Sequence, residues 1–378
     1  MRENTKYQAL YATRFMGEFV FYSLLAIYLK DSGFSGSKIG ALLSFSPFIL
    51  ALSQPVWSMI DHGKTRKILI ITAAALIIAL EFSIVYAKTF SILVVVMVLY
   101  SIIRAPIAPS LDAMTTIYCV ENNTEYAVFR YMGSVGFIIA LLGGSFLYGK
   151  VDFVYLVIIS AVFFTVFIVF SLTVKPLDLD KAKREKPNLK LLFTNRDFIV
   201  FLIAEILCFG TLQLNNGFDI LYIQYRGLKT SLYGITTLIR VGSEVITLLF
   251  LRRLKPNQYK LILTLMPVFV IAQSLIYFLN APVFTIFLVM VFAGTASGII
   301  IFLTNKYIAM IVRPINITAA TYITCIAQNL ASATFLVLGG IIMDKLGINY
   351  IYFVTGIIFV AAAVFVALFV RKNPPIKT

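Results

Sequence analysis

PSLDAMTTIYCVENNTEYAVFRYMGSVG, Pro109 to Gly136, sets an acid and a base 18 residues apart, each inside an apolar run. An ionised side chain in hydrocarbon costs roughly 2.5 to 3.5 kcal/mol at a helix centre, so unpaired charges are rare there. Asp112 and Arg130 are therefore expected to face each other. Asp112 lies about six residues before the expected helix end near Tyr118, ~9 Å of rise, and Arg130 a similar distance into the next helix. The polar segment Glu121–Glu125 between them reads as a short turn. The two helices then run antiparallel, and both charges reach one depth.

Around this pair the chain of 378 residues is 60% hydrophobic, with a mean hydropathy of +0.93. Soluble domains are about 45 to 50% apolar, so the chain reads as an all-α membrane protein. Runs long enough to cross ~30 Å of hydrocarbon give twelve spans, at 8–29, 38–60, 67–87, 91–118, 126–148, 152–174, 198–223, 231–251, 260–279, 283–305, 318–341 and 349–370. The first has no small-residue cleavage pattern and is expected to be retained rather than removed as a signal peptide.

The net charge of +15 follows from 32 basic against 17 acidic residues. Of the 32, 21 lie on the side holding both termini, seven on the opposite side and four within the spans. This alternation is the positive-inside pattern rather than a nucleic-acid surface. It predicts a multi-pass protein of the cell membrane with both termini cytoplasmic. Cys119, Cys208 and Cys325 are scattered, with neither a disulfide framework nor a zinc spacing, and no metal or cofactor is expected. No nucleotide-binding G-x-x-x-x-G-K-[ST] occurs. The only histidine, His62, sits in a loop and leaves no nucleophile–His–acid set, so an enzyme is not expected.

Lys175–Asp197 is the one long polar segment and divides the spans six and six. The expected organisation is an N-terminal six-helix bundle at 1–174, a cytoplasmic linker at 175–197 and a C-terminal six-helix bundle at 198–378. Tyr28, Gly33, Ser37 and Gly40 match Tyr222, Gly227, Ser231 and Gly234 at one displacement of 194 residues. Four such matches within one short segment indicate a parallel repeat.

Between the second and third spans, Gln54–Lys67 reads QPVWSMIDHGKTRK. The turn resembles the signature of the major facilitator superfamily, with Asp61, Arg66 and Lys67 in its acidic and basic places. Ser58 stands near its expected Gly, and the spacing is one residue shorter. Pro109–Ala113 followed by Arg130–Ser134 resembles the branch containing lactose permease, the phenylpropionate transporters and the nucleoside–proton symporters. The resemblance covers nearly the whole chain and implies that Asp112 and Arg130 contact substrate. It also implies that Glu244, in Val241-Gly242-Ser243-Glu244, is the substrate-engaging acid of helix eight. Asp61, Arg66 and Lys67 then form the conformational gate motif. Phe137 stands where lactose permease stacks a Trp on sugar; it keeps a ring face but no indole donor. Ala293–Ala296 replaces that permease's His and Glu in helix ten, which shifts weight from galactosides to other ring-bearing solutes.

Ten ionisable residues fall within the spans: Arg14, Glu18, Glu81, Arg104, Asp112, Arg130, Glu205, Asp219, Arg240 and Glu244. Apart from Glu81, none is in spans three, six, nine or twelve, the supporting helices of the superfamily. Arg14, Arg104 and Arg240 are expected among the cavity charges, because intramembrane charges face water or partners. Arg14 with Glu18 and Arg240 with Glu244 are four residues apart, so each pair shares a helix face and either neutralises itself or serves transport. Six acids against four bases leave two carboxylates without a cation, and a buried carboxylate of that kind can carry a proton near neutral pH. Glu244, Glu18 and Glu205 are the coupling candidates. Asp219 and Glu81 are expected near the outer interface, Glu81 reaching it by snorkelling. Pro106 and Pro109 are expected to bend the fourth span.

These readings converge on a monomeric secondary transporter moving a sugar, nucleoside or aromatic acid by alternating access with proton symport. Its partners would be a small molecule, protons and the bilayer. The alternatives are a drug or lipid exporter, an uncoupled uniporter and a membrane nutrient sensor.

Overall fold

The computed structural model describes residues 3–60, 63–174, 189–254, 258–313 and 316–371. Its helices are, in order, α1 (Glu3–Tyr22), α2 (Leu25–Asp31), α3 (Gly36–Ile60), α4 (Gly63–Tyr86), α5 (Phe90–Arg104), α6 (Ile107–Asn122), α7 (Tyr126–Leu147), α8 (Phe153–Thr173), α9 (Leu189–Phe193), α10 (Arg196–Tyr225), α11 (Thr230–Leu251), α12 (Tyr259–Phe278), α13 (Thr285–Ile311), α14 (Ile317–Lys345) and α15 (Ile348–Phe369). Among the described residues, 11 helical stretches are long and apolar enough to cross a membrane. The remaining expected span, 8–29, is helical as α1 and α2. The helix α1 starts before that span and is less apolar because it carries Glu3, Lys6, Arg14 and Glu18.

The fourth span breaks where its prolines predict. α5 ends at Arg104 and α6 starts at Ile107, because Pro106 has no N–H to continue the ladder. The turn after Asp112's helix is also short. Asn123 adopts the left-handed conformation, φ 49° and ψ 46°, and closes α6 three residues before α7 begins.

The repeat matches in chemistry as well as in letters. Tyr28 donates to the carbonyl of Val85 at 3.1 Å, and Tyr222 donates to that of Tyr277 at 2.9 Å. In each half the first span is thereby tied to the end of the third. Gly33 and Gly227 hold φ +86° and +68°, a turn conformation that favours glycine.

The chain forms two compact units. One comprises Met1–Phe34, Phe48–Lys183 and Gly227–Gly234, the other Ser35–Pro47, Arg184–Arg226 and Ile235–Thr378. In the first unit α1 is the central helix, packed against α7 and α8. A Cβ at Gly136 of α7 would strike the Ala12 carbonyl oxygen and lie 3.0 Å from its Cα. A backbone neighbour cannot yield as a side chain can. Gly136→Ala is therefore expected to cost about 1 to 3 kcal/mol by overpacking, read as a lower unfolding temperature in detergent; an unchanged temperature would mean that α1 and α7 separate freely.

In the second unit α10 packs on α14 and α15, and α12 on α13 and α15. Asp344, near the end of α14, caps the first turn of α3. It accepts from Gly36 N at 2.6 Å, Ser37 N at 2.8 Å and Ser37 Oγ at 2.5 Å. A carboxylate at a helix N-terminus meets unpaired N–H groups and the positive end of the dipole.

Candidate functional site

In the first unit, three of the expected site residues meet one face of α1. Tyr11, Phe15 and Phe19 recur every four residues and so line one stripe of that helix. Tyr11 donates to Asp112 of α6 at 2.5 Å, and Tyr126 of α7 donates to the same oxygen at 2.8 Å. The Arg130 guanidinium lies over the Phe15 ring, 4.9 Å from its centroid. Phe137 meets Phe19 edge-on at 4.7 Å. An acid, a base and a ring thus follow one another along α1.

Asp112 and Arg130 are not ion-paired, contrary to the expectation from their depth. Two tyrosine hydroxyls hold the acid, and the exposed guanidinium keeps its donors clear of acceptors among the described residues. An aromatic face attracts a cation without using its N–H groups. Arg130 is therefore available to an acceptor from outside the protein.

The neighbouring face of α1 carries a buried cluster, and its Arg14 also lies over the Phe15 ring, 4.5 Å from the centroid. Glu18, 3% exposed, binds Arg14 Nη2 at 2.6 Å through one oxygen and Arg104 Nε at 2.9 Å through the other, with Arg104 Nη2 on that second oxygen as well. The Arg14–Glu18 spacing predicts the first contact, and the break after α5 brings in the second cation. Of the gate motif, Asp61 lies outside the described residues. Arg66 sits in the first turn of α4, and Lys67 donates to the carbonyls of Leu172 and Val174 at 2.7 and 2.8 Å.

In the second unit the equal spacing of Arg240 and Glu244 does not produce a pair. Arg240 instead donates to Asn216 of α10, and Glu244 is half-buried, with Arg240 as its charged neighbour. The Ala293–Ala296 segment of α13 packs here. A Cβ on Gly294 would meet the Arg240 carbonyl, so this stretch serves close helix contact. Glu205, 2% exposed, accepts from Thr304 Oγ1 and from Gln328 Nε2, both at 2.7 Å. Asp219, equally buried, accepts from Tyr352 at 3.0 Å, and Asn215 accepts from Thr355 at 2.9 Å.

Counting acids against bases thus misreads how the charges are satisfied. Among the described residues within the spans, Glu18 takes two cations, while Asp112, Glu205 and Asp219 rest on neutral hydroxyl or amide donors. Glu81 does not snorkel. It is 0% exposed and bonded to Ser160 of α8. Tyr11, Tyr126, Ser160, Thr304 and Tyr352 escaped sequence reading because a lone hydroxyl in an apolar helix carries no periodic signal. Asp344 is signalled only by its place at a span end, where an acid reads as ordinary surface.

Residues 14–320 match the MFS_1 like family. The maltose permease of Geobacillus stearothermophilus is 25% identical over 365 residues, covering 93% of this chain and 91% of the permease. The crystal structure of the nucleoside transporter NupG superposes with a TM-score of 0.83 at 16% identity, over 98% of this chain and 99% of that one. That of a D-xylose–proton symporter gives 0.73 at 13% identity, over 98% and 97%. The fold is that of the major facilitator transporters, and the relatives are transporters rather than enzymes. With more than half its length matched and every span accounted for by that fold, the chain belongs to the MFS_1 like family of multi-pass membrane transporters.

Proposed function

We propose that this transporter carries a small ring-bearing polar solute, a sugar or nucleoside before an aromatic acid, by alternating access with proton symport. The observation that carries the reading is the α1 stripe. It sets a hydroxyl-bound carboxylate, a guanidinium with free donors and an aromatic ring edge in series. Hydroxyls on a ring suit the acid and the base, and the ring face suits Phe137. The relatives named for maltose, nucleosides and xylose support that solute class. In the second unit, Glu244 is assigned to substrate as an acid that has Arg240 as its charged neighbour but, among the described residues, no direct bond to it, since Arg240 donates to Asn216.

Among the coupling candidates Glu205 is favoured. It is buried without a cation among the described residues, whereas both oxygens of Glu18 are engaged by guanidiniums. Neutral donors tolerate either protonation state of a carboxyl group. The two halves of the repeat would expose the site alternately to the two sides of the cell membrane, with both termini cytoplasmic.

Uptake into proteoliposomes, screened over sugars, nucleosides and aromatic acids with and without an imposed pH gradient, tests the reading. Uptake of one class is expected to rise with the gradient. In Glu205→Gln that rise should vanish while substrate exchange persists. Uptake that ignores the gradient in the wild-type protein removes the symport claim, and a gradient response kept by Glu205→Gln removes Glu205.

A further inference from the structure

Glu81 of α4 plays no part in the site described above, yet hydrogen-bond accounting around it leaves an excess of acceptors. Its Oε2 is 2.5 Å from Ser160 Oγ, and that same hydroxyl is 2.8 Å from the carbonyl oxygen of Gly17 in α1. A serine hydroxyl has one hydrogen to give, and a carbonyl oxygen has none. If Glu81 were a carboxylate, it and the Gly17 carbonyl would have to share the one Ser160 hydrogen, although the contact to Glu81 is the shorter of the two. Two full hydrogen bonds form when Glu81 supplies a hydrogen to Ser160 Oγ while Ser160 gives its own to Gly17.

Two further observations agree. The other oxygen, Oε1, is buried with no well-formed hydrogen bond among the described residues, the neutral Tyr100 hydroxyl being the donor beside this carboxyl group. Leaving a neutral carbonyl oxygen there costs far less than leaving half of a carboxylate charge. The described groups facing Glu81 also offer it no cation of its own. From α1 the titratable neighbour is Glu18, from α5 they are Tyr100 and Arg104, and α8 contributes the Ser160 hydroxyl. Arg104 is the cation in range, and it is bonded to Glu18.

We infer that Glu81 is a proton-binding site of the first unit, its carboxyl group holding a hydrogen that it donates to Ser160 and thereby tying α4 to α1 through α8. A physical linkage follows. An ionised Glu81 would compete with Glu18 for Arg104, so release of its proton is expected to loosen the hold of that guanidinium on Glu18. The site is independent of which solute is carried and of whether Glu205 couples transport.

The test is infrared difference spectroscopy of the full protein in lipid vesicles near neutral pH, wild type against Glu81→Gln. A glutamine amide can donate to Ser160 just as the acid does, so this variant is expected to fold. The expected difference is loss of one protonated-carboxyl C=O band, shifted in deuterated buffer, with the carboxylate bands unchanged. Loss from the carboxylate bands instead would show Glu81 ionised and overturn the inference. Ser160→Ala gives a second reading that does not depend on the first variant folding. Removing the acceptor of the acid's hydrogen should move that C=O band to higher frequency, and an unmoved protonated-carboxyl region would equally overturn the site.

Discussion

Replacing Arg130 with Ala is expected to weaken substrate binding about 30-fold or more while leaving membrane expression intact. Removing one partner from a charged hydrogen-bonded contact costs about 2 to 5 kcal/mol, and each 1.4 kcal/mol is about tenfold in affinity. The protein itself loses little, because Arg130 is exposed and its contact is the face of Phe15; such cation–π contacts contribute about 0.5 to 1 kcal/mol at exposed sites. Binding of the best solute from the uptake screen, measured on purified wild type and variant, separates the two effects. Wild-type affinity in the variant would refute the assignment of Arg130 to substrate.

Glu18→Ala is expected to act in the opposite way, on the fold. Arg14 and Arg104 converge on this one buried carboxylate, so its removal leaves two cations without their acid inside a helix bundle. Breaking a buried ion pair from one side costs about 3 to 5 kcal/mol, much of it the desolvation of the charge left behind. The unfolding temperature in detergent should fall sharply, and Glu18→Gln should recover part of the loss by keeping an acceptor. Full stability in Glu18→Ala would mean that the cluster is wet and that its cations find water.

What the sequence makes legible here follows local rules. The break at Pro106 needs only the missing N–H, and the repeat is visible because Gly33 and Gly227 meet one backbone requirement twice. The membrane class follows from hydropathy, and Asp112, Arg130 and Phe137 enter as candidate site residues through a resemblance of motif. What stays illegible is the choice of partner. Arg14–Glu18 and Arg240–Glu244 share one spacing, yet the first pairs and the second does not, because Asn216 on another helix takes the Arg240 guanidinium. A helix face is readable from its own residues, but the neighbour that meets it is set by packing across the bundle. The same gap hid Tyr11, which decides whether Asp112 needs Arg130 at all.

The α1 stripe is the account's central element, and the claim it supports is that of a carrier rather than a pore or a sensor. Counterflow measures this most directly and needs no coupling ion. Proteoliposomes preloaded with unlabelled solute are placed in a trace of labelled solute, with no gradient of pH or voltage. Wild-type protein is expected to drive a transient accumulation of label above equilibrium, and Arg130→Ala vesicles to show none. Label that only drifts to equilibrium in wild-type vesicles, for every solute that binds, would contradict the account.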